Sequence, residues 1–154
     1  LTFADKVVVM YDGRVVQIGT PEELFERPEH TFVGYFIGSP GMNVIPARVE
    51  GNKAYVNGSY VELAQGYQPL DGKVEIGVRP EFARLSQSGG LPVKVRRVED
   101  VGRHKIIRAE FFGNDINIIA GEDEHISADM NRVTFDATHV NVYANDWRVQ
   151  GEVA

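Results

Sequence analysis

The sequence has 154 residues, of which 43% are hydrophobic and 25% charged, a composition typical of one globular domain or of a small domain with an appendage. It contains no cysteine, which excludes disulfide bonds and thiolate zinc sites. The formal net charge of −6 argues against a dedicated nucleic-acid binder, because such proteins normally present a basic field to the phosphate backbone.

The chain begins with the pattern of a β-hairpin. Residues 7–11 and 14–18 are two runs rich in β-branched side chains, and the dipeptide Asp12-Gly13 separates them. Because this dipeptide readily adopts the positive φ angles of a two-residue turn, the pattern predicts two antiparallel strands.

Two short helices are predicted to follow the hairpin. The segment Thr20-Pro21-Glu22-Glu23 offers a hydroxyl cap, a proline at the first helical position and a glutamate that completes a capping box. Pro28 blocks continuation of the first helix, and Gly38-Ser39-Pro40-Gly41 is expected to end the second. Apolar residues at helical spacing give the second helix one apolar face, a candidate surface for association with a second copy: Phe32, Val33, Phe36 and Ile37.

From residue 44 onward the pattern favours an all-β domain. Short alternating segments recur about every eight to twelve residues between Gly, Asn and Asp turns, which suits a small barrel or sandwich. The predicted strands cover residues 44–50, 53–57, 60–63, 74–79, 91–101, 105–112, 116–120, 132–135 and 140–144.

No pattern for a catalytic, cofactor or metal site is found. The sequence has neither a GxxxxGK[ST] loop nor a GxGxxG after a strand, the two common backbone cradles for nucleotide phosphates. Its four histidines, His30, His104, His125 and His139, are scattered, and none stands at metal-ligand spacing. We therefore assign no catalytic, cofactor-binding or metal-binding residue and expect that this chain alone is not an enzyme.

Basic residues cluster within residues 94–108, and an OB-type barrel with such a patch could hold single-stranded nucleic acid. That function also needs aromatic side chains on the same face, and residues 91–101 contain none. We therefore favour the polar outer face of a strand or a protein-contact patch, with no nucleic-acid partner. The cluster consists of Lys94, Arg96, Arg97, Arg103, Lys105 and Arg108.

Three motifs resemble one family. Residues 4–24, ADKVVVM and then DGRVVQIGTPEEL, are similar to the end of an ABC-type ATPase domain, after its switch histidine. Residues 36–43, FIGSPGMN, resemble the FIGSPxMN exit of the ATPase subunits of maltose-type carbohydrate importers. Residues 77–81, GVRPE, are similar to the G-[IV]-R-P-E signature of their OB-like regulatory domain, called TOBE. Phe82 departs from the family, which often has histidine there.

The resemblance implies a mainly β fold with two parts. Residues 1–43 would be the tail of the ATPase domain, with its hairpin, two short helices and linker, and residues 44–154 an OB-like TOBE regulatory and dimerisation domain. The Walker motifs, the signature motif and the switch histidine would lie upstream of Leu1, in a longer protein.

The intact subunit implied by this family is a transport ATPase. It would bind ATP and Mg, pair with a second copy, and drive import of a sugar, a polyol or glycerol phosphate through membrane permease subunits. A regulatory protein is a further possible partner. The subunit would be cytoplasmic and peripheral to the inner membrane.

Gly77, Arg79, Pro80 and Glu81 form the candidate regulatory or structural corner. Proline fixes φ and removes a ladder donor, so the strand must end there. Arg79 and Glu81 are expected to pin this corner through charged hydrogen bonds. Two other functions stay open for the β domain, a TOBE module that senses small oxyanions and an OB domain that binds nucleic acid.

Overall fold

The computed structural model describes residues 5–152, in which β-strands dominate, as predicted. Neither helix in this part of the chain is long and apolar enough to cross a membrane. Single 3₁₀ turns cover Pro80–Phe82 and Ala137–His139. In chain order the elements are β1 (Val7–Tyr11), β2 (Arg14–Gly19), α1 (Pro21–Glu26), α2 (Thr31–Phe36), β3 (Asn43–Pro46), β4 (Arg48–Val56), β5 (Ser59–Tyr67), β6 (Val74–Val78), β7 (Ala83–Ser86), β8 (Leu91–Pro92), β9 (Lys94–Asp100), β10 (His104–Phe111), β11 (Asn114–Gly121), β12 (Arg132–Phe135), β13 (Asn141–Ala144) and β14 (Trp147–Arg148).

The predicted hairpin is confirmed. β1 and β2 pair antiparallel, and Asp12 and Gly13 take φ angles of 52° and 73° at the turn between them. One face of the hairpin packs on the two helices, so that hairpin and helices share a small apolar core. The buried members of this core are Val9, Leu24, Val33 and Ile37.

The predicted capping box of α1 is also confirmed. The Thr20 hydroxyl accepts a hydrogen bond from the Glu23 N–H at 3.2 Å, and the Glu23 carboxylate accepts one from the Thr20 N–H at 3.4 Å. α2 begins differently, because the Nδ1 atom of His30 accepts a hydrogen bond from the Phe32 N–H at 3.0 Å. Histidine is not among the residues favoured at this position, so sequence reasoning did not assign that role to His30.

The predicted apolar surface around α2 is only partly exposed. Val33 and Ile37 have exposed fractions of 0% and 6%, because the hairpin residue Val9 packs on that side of the helix. Phe32 is half-buried, whereas Phe36 is 68% exposed. The predicted association surface is therefore wrong for Val33 and Ile37, which are buried within the chain.

We call residues 5–42 the N-terminal segment and residues 43–152 the β domain. The β domain is built from antiparallel sheets with strand orders β11-β10-β9, β7-β12-β8, β14-β13-β6-β3 and β4-β5. They enclose a second apolar core. Its largest fully buried side chains are Phe111, Ile45, Ile76, Leu91, Ile107, Ile116 and Ile118.

Several of the predicted strand boundaries differ from the structure. β4 runs through Gly51-Asn52, where a turn was predicted, because the register shifts there and Gly51 takes a φ of 58°. The extra residues lie on β5, where residues 63–66 stand opposite Asn52 alone, so the irregularity leaves β4 unbroken. The predicted strand 91–101 is instead divided into β8 and β9 at Val93, whose N–H donates to the Asn131 carbonyl at 2.8 Å.

Candidate functional site at the joint between the N-terminal segment and the β domain

Arg79 lies at the contact between the N-terminal segment and the β domain. It follows the last residue of β6, and only 3% of it is exposed. Its Nε atom donates to the main-chain carbonyl of Phe25 at 2.8 Å, and its Nη1 atom donates to the carbonyl of Ile37. The guanidinium carbon lies 4.3 Å from the centre of the Phe25 ring. One side chain of the β domain therefore holds the C-terminal ends of both helices of the N-terminal segment.

The surroundings of Arg79 explain how a charge can be buried at this place. Burial lowers the pKa of Arg79, since removal from water penalises the charged form. The two carbonyl oxygens and the negative face of the Phe25 ring offset that penalty. The Nη2 atom of Arg79 has no hydrogen-bond partner in the described part of the chain.

The predicted corner contains the expected turn but not the expected partner. β6 ends at Val78, and Pro80 opens the 3₁₀ turn that re-aims the chain into β7. Glu81 is exposed and forms no ion pair with Arg79 among residues 5–152. Arg79 is thus held by the N-terminal segment instead of by Glu81, because its Nε and Nη1 atoms donate to the main-chain carbonyls of Phe25 and Ile37.

Phe82 and His139 form a stacked pair beside this corner. Their ring centres are 3.7 Å apart and their planes differ by 8°. The Nδ1 atom of His139 lies 3.1 Å from a carboxylate oxygen of Asp136. Phe82 therefore serves as a packing platform at the position where the resembling family often carries histidine.

Two glycines allow the close approach at the joint. Gly38 has a φ of +99°, and a Cβ atom there would lie 2.7 Å from the Nη1 atom of Arg79. A Cβ atom at Gly77 would lie 2.7 Å from the sulfur of Met42 and 2.7 Å from a ring carbon of Tyr143. The glycine of the predicted corner is thus required by packing between the two parts of the chain.

Tyr143 and Asn141 of β13 extend the joint, and sequence reasoning missed both. Tyr143 is fully buried, and its hydroxyl donates to the Pro28 carbonyl at 2.6 Å. Burial raises the pKa of this hydroxyl above its ordinary value, so it remains a donor at neutral pH. The Asn141 amide donates to the Glu26 carbonyl at 3.2 Å. Since the acceptors are main-chain atoms more than a hundred residues away, no local pattern marks these contacts.

The last described strand also contacts the N-terminal segment. The Arg148 N–H donates to the Glu29 carbonyl at 2.8 Å, and its Nη2 atom lies 2.9 Å from a Glu29 carboxylate oxygen. The rings of His30 and Trp147 meet edge to face, with their centres 4.7 Å apart. The strand β14 therefore adds a contact to residues 29 and 30, which connect the two helices.

Asn43, the last residue of the FIGSPGMN motif, has a structural role. It is 3% exposed, its amide donates to the Asn117 carbonyl at 2.9 Å, and its Oδ1 atom accepts from the Asn117 N–H at 2.8 Å. This reciprocal pair fixes the start of β3 against β11.

The described residues contain no group of three or more His, Cys, Asp or Glu that could hold a metal ion. Half of the predicted basic cluster is paired with acids. Arg97 and Arg108 approach the carboxylate of Glu99 at 3.0 and 2.8 Å, and Arg96 pairs with Glu110. These arginines form a network along β9 and β10, which leaves less positive charge for a phosphate backbone.

The comparisons with known proteins agree with this architecture. The MalK OB fold domain matches residues 38–82, which include Gly38, Arg79 and the strands between them. The chain therefore carries an OB-like domain of the kind that the resemblance predicted.

The curated relatives are ATP-binding proteins of ABC transporters. The sn-glycerol-3-phosphate import ATP-binding protein UgpC of Ruegeria pomeroyi is 35% identical over 146 residues, which covers 91% of this chain and 41% of that protein. UgpC 2 of Agrobacterium fabrum is 39% identical over 128 residues, 80% of this chain and 34% of that protein. The uncharacterized ABC transporter ATP-binding protein y4oS of Sinorhizobium fredii is 40% identical over 125 residues, 75% of this chain and 32% of that protein.

The chain belongs to the family of ABC importer ATP-binding proteins that carry a MalK-type OB domain. It spans about two fifths or less of the length of these relatives.

Proposed function

We propose that this chain is the C-terminal part of the ATP-binding subunit of an importer for a sugar, a polyol or a glycerol phosphate. The names of the relatives support glycerol phosphate as the first solute to test. In the whole subunit, residues upstream of this chain would bind ATP and Mg, and two copies would act on permease subunits at the cytoplasmic side of the inner membrane. We place the boundary between the ATPase tail and the regulatory domain at residues 43/44.

We propose that the β domain regulates or pairs the ATPase without doing chemistry itself. The observation that supports this role best is the pair of hydrogen bonds that Arg79 donates to the Phe25 and Ile37 carbonyls. A regulator or a second copy that binds the β domain acts on the ATPase only if the two are mechanically coupled. The joint supplies that coupling through buried contacts on both sides.

The chain alone is expected neither to bind nor to hydrolyse ATP, since its sequence has no phosphate-binding loop. Phosphate release from the purified chain should equal the buffer background. Release above background that disappears on mutation of a residue within this chain would contradict the proposal.

Uptake by a fusion protein tests the transport role. In the Ruegeria pomeroyi UgpC, this chain replaces the part that it matches, and uptake of sn-glycerol 3-phosphate is measured in cells that lack their own importer. We expect ATP-dependent uptake from the fusion and strongly reduced uptake from the same fusion with Arg79→Ala. A fusion that reaches the membrane in normal amounts but supports no uptake would contradict the proposed function. Uptake that Arg79→Ala leaves unchanged would contradict the coupling role of the joint.

A further inference from the structure

A polar cavity of about 500 Å³ lies where the end of α1 meets the β domain. This volume falls within the usual range for pockets that hold small molecules. The N-terminal segment contributes two residues to its wall, and strands β5, β13 and β14 with the second 3₁₀ turn contribute most of the rest. The side chains with polar groups in the lining are Glu26, Arg27, Gln65, Tyr67, Thr138, His139, Asn141, Arg148 and Gln150.

Two arginines from opposite sides of the joint line this pocket. Arg27 is exposed, and its side chain forms no ion pair among residues 5–152. Arg148 is held by Glu29 through Nη2 alone, and its buried Nε atom has no hydrogen-bond partner in the described chain. Arginine carries five N–H donors, so the pocket contains donor capacity that the protein itself does not use.

The remaining polar groups favour a ligand with hydroxyl groups and one charged end. The amides of Gln65 and Gln150 can donate and accept, and the carboxylate of Glu26 accepts hydrogen bonds from hydroxyls but repels a second negative charge. Arginine forks match phosphate oxygens, and such charge-assisted hydrogen bonds are about twice as strong as neutral ones.

We propose that this pocket binds a small polyol phosphate, with Arg27 and Arg148 on the phosphate and the amides with Glu26 on the hydroxyls. The choice of polyol phosphate rests on the proposed function, whereas the pocket and its unused arginine donors do not. A ligand at this place contacts both the N-terminal segment and the β domain, so it stabilises their contact. In the whole subunit, occupancy of such a site would rise with the concentration of solute already imported into the cell.

Calorimetric titration of the full chain tests the site with three probes at equal ionic strength. The probes are sn-glycerol 3-phosphate, glycerol and inorganic phosphate. We expect one molecule of sn-glycerol 3-phosphate per chain, and binding of either partial probe weaker by roughly tenfold or more, because each lacks one half of the contacts. The same ligand should raise the melting temperature of the chain.

Three variants separate the site from general charge effects. Arg27→Gln removes an exposed side chain that forms no ion pair or hydrogen bond among residues 5–152, and we expect the affinity for sn-glycerol 3-phosphate to fall by roughly tenfold. Arg148→Lys keeps a positive charge beside Glu29 but removes the planar fork, so affinity should fall while the melting temperature stays close to that of the unchanged chain. Arg103→Gln is the control, an exposed arginine between β9 and β10 with the same change in net charge. It should bind normally.

Absence of binding heat from sn-glycerol 3-phosphate would overturn the proposal that the pocket is a binding site. An equal loss of affinity in all three variants would overturn it as well. Equal affinity for inorganic phosphate and sn-glycerol 3-phosphate would overturn the polyol part of the proposal. None of these results would change the outcome expected of the uptake experiment. Failure of the binding-site proposal can therefore be distinguished from failure of the proposed function.

Discussion

At the scale of single residues, Arg79 is the centre of the joint, because it is a buried charge whose bonds all lead to the N-terminal segment. Replacement by alanine leaves the carbonyls of Phe25 and Ile37 without their donor, at about 1–3 kcal/mol for each buried group. We expect Arg79→Ala to lower the free energy of unfolding by several times RT, as measured by urea unfolding. The melting temperature should fall as well.

Arg84→Ala provides the control for that measurement. Arg84 is exposed on β7, and surface changes of this kind usually alter stability by less than about 0.5 kcal/mol. An Arg79→Ala chain with unchanged melting temperature, in a subunit that has lost its regulation, would mean that Arg79 contacts a partner and is not structural.

Gly38 offers a second test of the same contact. A methyl group there meets the Nη1 atom of Arg79, whereas a methyl group at Gly58 meets nothing within 4 Å. Both glycines have positive φ angles, +99° and +86°, so both alanine variants carry similar backbone strain. We expect Gly38→Ala to be less stable than Gly58→Ala by about 1–3 kcal/mol, the cost of displacing packed atoms. Equal losses in chemical unfolding would mean that the Arg79 side chain moves aside freely.

The motif that contains Arg79 could be found from the sequence, but its partners could not. Residues 77–81 predict a strand that ends at proline, and the structure has that corner. The expected pairing of Arg79 with Glu81 rested on their proximity in the chain. The real acceptors are main-chain oxygens of residues 25 and 37, and every residue has such an oxygen. Patterns of side chains carry no information about contacts of this kind.

At the scale of elements, turn and capping patterns in the sequence predicted correctly those structures whose contacts lie close together in the chain. The Asp12-Gly13 turn and the capping box of Thr20 depend only on residues a few positions apart, and both are present. β14 was not predicted, because it has only two residues, too few for a recognisable pattern. β7 was not predicted, because it is short and acquires its strand character from pairing with the distant strand β12. The buried side of α2 was missed for the same reason, since the hairpin that covers it is another element.

The β9–β10 network predicts a dependence of stability on pH. Hydrogen bonds from Arg108 and Arg97 hold the pKa of Glu99 below its ordinary value of 4.5. A lowered pKa in the folded state means that the stabilisation is complete above the unfolded value and disappears as pH falls through the folded one. The melting temperature should therefore fall less in Glu99→Gln than in the unchanged chain as the pH is lowered from about 5 to about 3.

Glu122→Gln is the control for this series, because Glu122 is an exposed acid after β11 with the same charge. Its melting curve should follow that of the unchanged chain. Identical pH profiles for Glu99→Gln and the unchanged chain would mean that the network adds nothing to stability. Many exposed ion pairs contribute nothing measurable.

At the scale of the whole molecule, the outer face of the hairpin is an apolar surface that the N-terminal segment leaves exposed. Val8 faces Ile18 and Met10 faces Val15 across the two strands, and each of these side chains is more than half exposed. Exposed patches of this kind mark association surfaces. We expect the isolated chain to self-associate through this face.

Light scattering on a double variant tests this association. Met10→Lys with Ile18→Lys places two charges on the face, so the measured mass should fall to that of one chain. Val98→Lys with Val101→Lys is the control, since both residues are exposed in and after β9, away from the hairpin. A monomeric unchanged chain, or a dimer that survives the hairpin charges, would mean that this face does not cause association.

The acceptors of Arg79 also have an evolutionary consequence. Because the guanidinium binds main-chain oxygens, a substitution at position 37 that still fits the apolar core keeps the acceptor of this bond, and position 25 is constrained by its ring contact with Arg79 and by its packing on the same core. Compensating changes across this contact are therefore unnecessary as lineages diverge. We therefore expect the Arg79 contact itself to persist through changes of the side chain at position 37 wherever Arg79 and Gly38 are kept, whereas the Arg148–Glu29 ion pair across the same joint requires both of its side chains.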